Sequence, residues 1–167
     1  MKELWDAYDK DINKQELTLV RGEKIPKGYY HLVSEIIVYH KDKIILLTQR
    51  SFDKKIAPGL YEASSSGSVL KGETPLEAAK RELYEETGIK VTELIPTYKE
   101  IHEEFQTIFY GFIAKVDIQK DSIVLQKEET INYIWLSKEE LLKLIQTDKY
   151  IPSHIKRLKE GLEKLDD

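Results

Sequence analysis

The chain has 167 residues, 41% of them hydrophobic and 34% charged, the length and balance of one ordinary globular domain. Its formal net charge of -4 argues against a general binder of nucleic acid or anionic membrane, which would carry a basic surface. It has no cysteine, so disulfides, thiolate metal sites and cysteine nucleophiles are excluded.

The opening residues, "MKELWDAYDK", are too polar for a signal peptide, and no apolar run approaches the roughly 20 residues that a membrane span needs. The expectation is a cytoplasmic protein. Residues 1–30 read as an N-terminal extension or hairpin. "DAYDKD" (6–11) lacks the glycine and distal glutamate of a calcium loop and reads as surface. "RGEKIPKGYYHLV" (21–33) sets Arg21, Lys24 and Lys27 near Tyr29 and Tyr30. Those cations could grip a phosphate and those rings could stack on a base; a solvated hairpin is an equal reading.

"HLVSEIIVYH" (31–40) and "KIILLTQR" (43–50) predict two strands joined by a short polar turn. A loop-rich stretch (51–73) follows, with a strand predicted from about Leu60 to Ser65. Arg50, with Lys54 or Lys55, is a candidate phosphate contact there. "TPLEAAKRELYEETG" (74–88) predicts the clearest helix: Thr74 as N-cap, Pro75 in the first turn, Glu77 completing a capping box, Gly88 ending it. At 100° per residue, Leu76, Ala79 and Leu83 share the stripe expected to face the core. Strands are predicted at about Leu94–Ile101, Phe105–Val116 and 130–136, then a capped helix at 137–145 and a surface-facing helix at 153–165. This order predicts an α+β fold, an α/β/α sandwich over a mixed sheet, with 1–167 as a single domain.

The central helix crowds Glu82, Glu85 and Glu86 into one turn, beside Arg81. Carboxylates three and four apart on a helix repel, at roughly 0.2–0.5 kcal/mol per pair. In isolation they read as a solvated acidic face. The wider window, "GSVLKGETPLEAAKRELYEETGI" (67–89), is more specific. Gly67 is followed by Glu73, Arg81, Glu82, Leu83, Glu85, Glu86, Gly88 and Ile89 at the spacing G-x5-E-x7-R-E-U-x-E-E-x-G-U, with U aliphatic. A chance match is on the order of 10⁻¹⁰ per starting position. The sequence resembles the Nudix family, whose box this is.

That resemblance implies hydrolysis of a diphosphate linked to another moiety. It makes Glu82, Glu85 and Glu86 metal ligands, Glu85 catalytic, Arg81 the ion-pair partner that orients a glutamate, and Gly67 a backbone position at the substrate. Oxygen-only ligands indicate a hard ion, Mg²⁺ or Mn²⁺, which neutralises a diphosphate and activates an attacking water. A general base or extra ligand outside the box is expected; Glu129, six residues before Trp135, and Glu104 are the candidates. His31 and His102 read as structural more readily than as functional.

The resemblance extends to the branch related to type I isopentenyl diphosphate isomerase, through "WDAYD", "RGEKIPKGYYHLV" and "LLTQRSFDKKIAPGLYEASSSGSVLKGE". Ser66 and Ser68 stand where that isomerase carries a catalytic cysteine and a histidine ligand, and Glu104 falls near its catalytic glutamate. An intact box without the cysteine implies a hydrolase on an isomerase-like frame. The alternatives are an isomerase of prenyl diphosphates and a non-catalytic diphosphate-binding module. The expected partner is a small-molecule diphosphate, not nucleic acid or membrane, and a homodimer through the N-terminal hairpin is compatible with the chain.

Overall fold

The alternation of "HLVSEIIVYH" is realised as a long central strand. In the computed structural model, which describes residues 1–165, the elements run in chain order: β1 (Leu4–Tyr8), β2 (Lys14–Val20), β3 (His31–His40), β4 (Ile44–Arg50), β5 (Tyr61–Ala63), β6 (Ser65–Ser68), α1 (Pro75–Thr87), β7 (Ile95–His102), β8 (Thr107–Val116), β9 (Thr130–Ser137), α2 (Lys138–Leu144), a 3₁₀ turn (Pro152–His154) and α3 (Ile155–Glu163). β3 pairs in parallel with β8 along its whole length, and β7 adds antiparallel to β8. β4 pairs antiparallel with β9. These strands form one mixed seven-stranded sheet, while β1 and β2 form a separate hairpin.

Period-two alternation sends the side chains of β3 to opposite faces. Ile36 and Val38 pack with Leu46, Ala79, Leu83 and Phe112 beneath α1. Ile37 packs with Ile45, Leu47, Ile113, Leu141 and Leu158 beneath α2 and α3. The result is the α/β/α sandwich. Arg157, Leu158, Gly161 and Leu162 of α3 are buried, so this helix covers a sheet face and is not the surface-facing helix expected. Leu76 is 40% exposed; the inward stripe of α1 is Ala78, Ala79, Leu83 and Thr87, because Leu76 sits in the first turn beyond the core contact.

The single strand expected at Leu60–Ser65 is two strands. β3 and β4 pair only at Tyr39 and Ile45, next to their turn, and then separate. β5 continues along β4, and β6 continues along β3. Ser64, fully buried between them, closes the seam. Its hydroxyl accepts from the Val38 amide and donates to the Leu46 carbonyl, each at 2.7 Å. Buried backbone groups left unpaired cost roughly 1–3 kcal/mol each. Ser64→Ala is therefore expected to lower unfolding free energy by about 2–3 kcal/mol in denaturant titrations, without changing the sheet's circular dichroism.

Candidate functional site

α1 forms where the sequence places it. Thr74 Oγ1 accepts from the Glu77 amide, Glu77 returns a bond to the Thr74 amide, and Gly88 ends the helix at φ 78°. The helix packs against β6, and the two close a polar cleft of about 400 Å³ with the loop before β9 and the β1–β2 hairpin. Arg81, Glu82, Glu85 and Glu86 line it from α1, Ser66 and Gly67 from β6, Arg21 from the end of β2 and Glu129 from the loop before β9.

Arg81 organises the cleft. Its Nε and Nη2 donate to the two oxygens of Glu73 at 2.8 and 2.9 Å, and Nη2 also reaches the Ser68 carbonyl at 3.1 Å. Nη1 donates to Glu82 at 2.8 Å and Glu85 at 3.3 Å. Hydrogen bonding to Glu73 above all holds the guanidinium in its charged form. Glu73 in turn accepts from the Leu70 amide at 2.8 Å; burial works against its charge, but the bonds from Arg81 and Leu70 keep its carboxyl below the usual range. Glu73 is thus the strut that fixes Arg81 and the loop leading into α1.

Gly67 is a packing position as well as a wall of the cleft. A Cβ there would sit 2.1 Å from Glu82 Cδ, so the glycine leaves the space that the Glu82 carboxylate fills. Burial raises the Glu82 carboxyl against the pull of Arg81. Burial and the neighbouring charges of Glu82 and Glu62 push the Glu86 carboxyl well above the usual carboxylate range.

Among the described residues no group of three or more Asp, Glu or His side chains converges closely enough to hold an ion as it stands. Arg81 Nη1 engages both Glu82 and Glu85, and burial disfavours the charged form of Glu86. The donor set nonetheless fits a hard divalent cation. It offers only oxygens, it includes a buried carboxyl with unfavourable charge neighbours, and it opens on a cleft large enough for a hydrated ion and phosphates. Glu82, Glu85 and Glu86 would hold that ion.

Outside the box, Glu129 faces the cleft from the loop before β9 and is ion-paired with Lys54. Arg21 reaches the cleft from the end of β2, braced by Glu3 at 2.7 Å; that bond favours its charged form. The hairpin is held in place because the Lys71 amide donates to the Leu4 carbonyl and the Gly72 amide to Asp6, at 2.9 and 2.8 Å. Arg50 does not line the cleft: its Nε donates to the Ile56 carbonyl, and Nη1 lies 3.5 Å from buried Glu62. Glu104 is a correction. It lies exposed in the turn between β7 and β8, because that strand pair begins at His102 and Thr107 and carries residue 104 past the sheet end.

Lys24 and Lys27 are exposed, and Tyr30 is buried in an apolar cluster rather than presented to a ligand. His31 stacks on Trp5 at 4.1 Å and bonds Thr107; burial lowers it to about 4. His102 stacks on Phe105. Sequence reasoning missed Glu62, Tyr150 and His154, which gather behind the cleft where β3 and β4 part. The signal available in the chain was Glu35, a charge in the middle of an otherwise alternating strand.

The matching family model is the NUDIX domain, over residues 29–158. An uncharacterized Nudix hydrolase, lmo0368 of Listeria monocytogenes, is 36% identical over 152 residues, 90% of this chain and 89% of that protein. The chain belongs to the Nudix family of hydrolases, which acts on nucleoside diphosphate derivatives and generally uses divalent cations. The isopentenyl-diphosphate Delta-isomerase of Salmonella heidelberg is 31% identical over 112 residues, 63% of this chain and 61% of the isomerase. The crystal structure of DR0079 from Deinococcus radiodurans superposes with a TM-score of 0.73 at 18% identity, over 89% of this chain and 91% of that one. No helix of the described residues is long and apolar enough to cross a membrane.

Gly67→Ala is expected to drive Glu82 from its place. Activity should fall by on the order of 10²-fold while thermal melting shows a folded protein; a wild-type rate would contradict the packing role of Gly67.

Proposed function

We propose that this protein hydrolyses the diphosphate linkage of a small organic diphosphate, with Mg²⁺ or Mn²⁺ held by Glu82, Glu85 and Glu86. The observation that supports this best is the crowding of these three carboxyls in one polar cleft, where a single guanidinium pairs with Glu82 and Glu85 and burial raises Glu86. Such crowding is unfavourable in the metal-free protein and becomes favourable when a divalent charge enters. A divalent ion held by Glu82, Glu85 and Glu86 would supply charge neutralisation at the phosphates and activation of the attacking water.

The chain's own groups do the rest. Arg81 fixes the side-chain angles of Glu82 and Glu85 through its fork of donors. Arg21, which also lines the cleft, meets the negative charge of the phosphates. The water oxygen forms a bond to one phosphorus as the bridging P–O bond breaks, leaving two phosphate-terminated products. On this reading Glu85 or Glu129, both on the cleft wall, takes the water's proton. The acidic lining of the cleft does not suit a nucleic-acid backbone, and we take the protein to be a cytoplasmic enzyme acting on a metabolite. The isomerase reading has no cysteine to use, and Glu104 lies outside the cleft.

The test is incubation with Mg²⁺ and nucleotide sugars, dinucleoside polyphosphates, ADP-ribose, nucleoside triphosphates, coenzyme A and prenyl diphosphates, with products read by mass spectrometry. Cleavage of one class is expected, abolished by chelation and reduced by on the order of 10²-fold or more in Glu86→Gln. Without metal, Glu86→Gln should melt at or above the wild-type temperature, because an amide cannot take on the charge that burial and Glu82 disfavour at that position. Undiminished turnover in Glu86→Gln would sink the metal assignment.

A further inference from the structure

One carboxylate on the cleft wall belongs neither to the metal set nor to the candidates for the water's proton. Glu3 lines the cleft together with Arg21. A negative charge on the wall of a space that takes phosphates opposes their binding unless it has another task there.

Its contacts show that task. Glu3 and Arg21 lie just beyond the paired ends of β1 and β2, where the Arg21 amide donates to the Glu3 carbonyl at 2.9 Å. Period-two alternation puts their side chains on the same face of the hairpin as Trp5 and Leu19. The two carboxylate oxygens of Glu3 have separate partners. Oε1 accepts from Trp5 Nε1 at 3.1 Å and Oε2 from Arg21 Nη1 at 2.7 Å. Trp5 is buried and stacks on His31, and His31 bonds the Thr107 hydroxyl at 2.9 Å at the start of β8. A line of contacts thus runs from the central sheet through His31, Trp5 and Glu3 to the Arg21 guanidinium.

Two features make that brace matter. The side chain of Arg21 is 66% exposed, against 23% for Glu3, and a long exposed side chain samples many rotamers. The charges of Glu129 and Glu82 are near enough to stabilise the guanidinium, so an unbraced Arg21 would be drawn onto carboxylates that the reaction uses. Arg21 is also the cleft's cation with donors left for a ligand. Arg81 directs its N–H groups to Glu73, Glu82, Glu85 and the Ser68 carbonyl, whereas Arg21 engages Glu3 through Nη1.

We infer that Glu3 is a positioning residue, which, anchored by Trp5, presents Arg21 to the phosphates and holds it off Glu82 and Glu129. The inference rests on the reading of the cleft as a diphosphate site. It adds that the hairpin, which precedes the matched domain region, sets the phosphate grip of that site. Glu3 touches no reacting atom and acts through the arginine. The sign of its effect separates this role from that of a plain charge. Removing an acid that only repels strengthens anion binding; removing a brace weakens it.

The test is calorimetric titration of the full chain with methylene diphosphonate in buffer containing Ca²⁺. The proteins are wild type, Glu3→Gln, Glu3→Ala, Arg21→Ala and the double variant with both alanines. Glu3→Ala is expected to weaken the probe by about tenfold, close to the loss in Arg21→Ala, although it removes a negative charge. Glu3→Gln keeps an acceptor oxygen and should recover part of that loss. The double variant should bind like Arg21→Ala, because Glu3 has no effect once the arginine is gone. All variants should melt near wild type, since the burial of Trp5, Ala7 and Leu19 holds the hairpin. Unchanged or tighter binding by Glu3→Ala, or an equal loss from it with and without Arg21, would overturn the inference. So would a wild type that does not bind the probe. A mass-spectrometric assay of the diphosphate panel with Mg²⁺ tests the hydrolase reading separately. Coupling between Glu3 and Arg21 without any products would keep the positioning role and remove the hydrolase.

Discussion

The guanidinium of Arg81 is the interaction on which the site depends. A guanidinium has five N–H donors, and here Nε, Nη1 and Nη2 make five bonds, two to Glu73, one to the Ser68 carbonyl and one each to Glu82 and Glu85. One half of the fork is tied to structure and the other half to the reactive carboxylates. A lysine could neutralise the same charge but could not span both halves in one plane. The arrangement also gives Glu73 its role. Glu73 lies outside the metal set, yet it sets where Arg81 points, and through Arg81 where Glu82 and Glu85 point.

The second constraint is the parting of β3 and β4. A hairpin that stayed paired would fill the middle of the sheet with backbone and leave no room behind the cleft. Here the strands hold only at Tyr39 and Ile45, and β5 and β6 line the two margins of the gap with Ser64 as the pin. β6 therefore carries Ser66 and Gly67 to the floor of the cleft, while Glu62 on β5 stands near the seam with His154. One irregularity in strand pairing thus creates both the cleft for the phosphates and the space behind it. The β1–β2 hairpin adds Arg21 from outside the matched domain region, held because Leu4 and Asp6 accept from the Lys71 and Gly72 amides of the loop before α1.

Much of this was legible in the chain because its signals are local. The capping boxes at Thr74 and Ser137 act over three residues, and both helices begin where they indicate. The alternation of 31–40 fixes a strand with two different faces. The box itself spans 67–89, so its residues meet through one loop and one helix. What was not legible depends on distant partners. Glu35 and Arg157 are 122 positions apart, and only the packing of α3 on the sheet brings them together. α3 was misread for the same reason: Arg157 looks like a surface residue until Glu35 and the Phe109 ring, 3.7 Å from the guanidinium, are seen around it. Glu104 failed because its assignment relied on position before a strand, and a shift of a few residues in the strand start moves it from cleft to turn. The split of one expected strand into β5 and β6 turned on Ser64, a residue with no distinctive pattern around it.

The central claim is that the carboxyls aligned by Arg81 form a divalent-cation site. Titration of Mn²⁺ into the protein with methylene diphosphonate, a diphosphate that cannot be hydrolysed at its bridge, measures this directly by electron paramagnetic resonance. The account predicts loss of the free aqueous Mn²⁺ signal as the ion binds, with affinity weakened by about tenfold or more in Glu82→Gln. A free-ion signal that persists in wild type, or equal binding by Glu82→Gln, would contradict it.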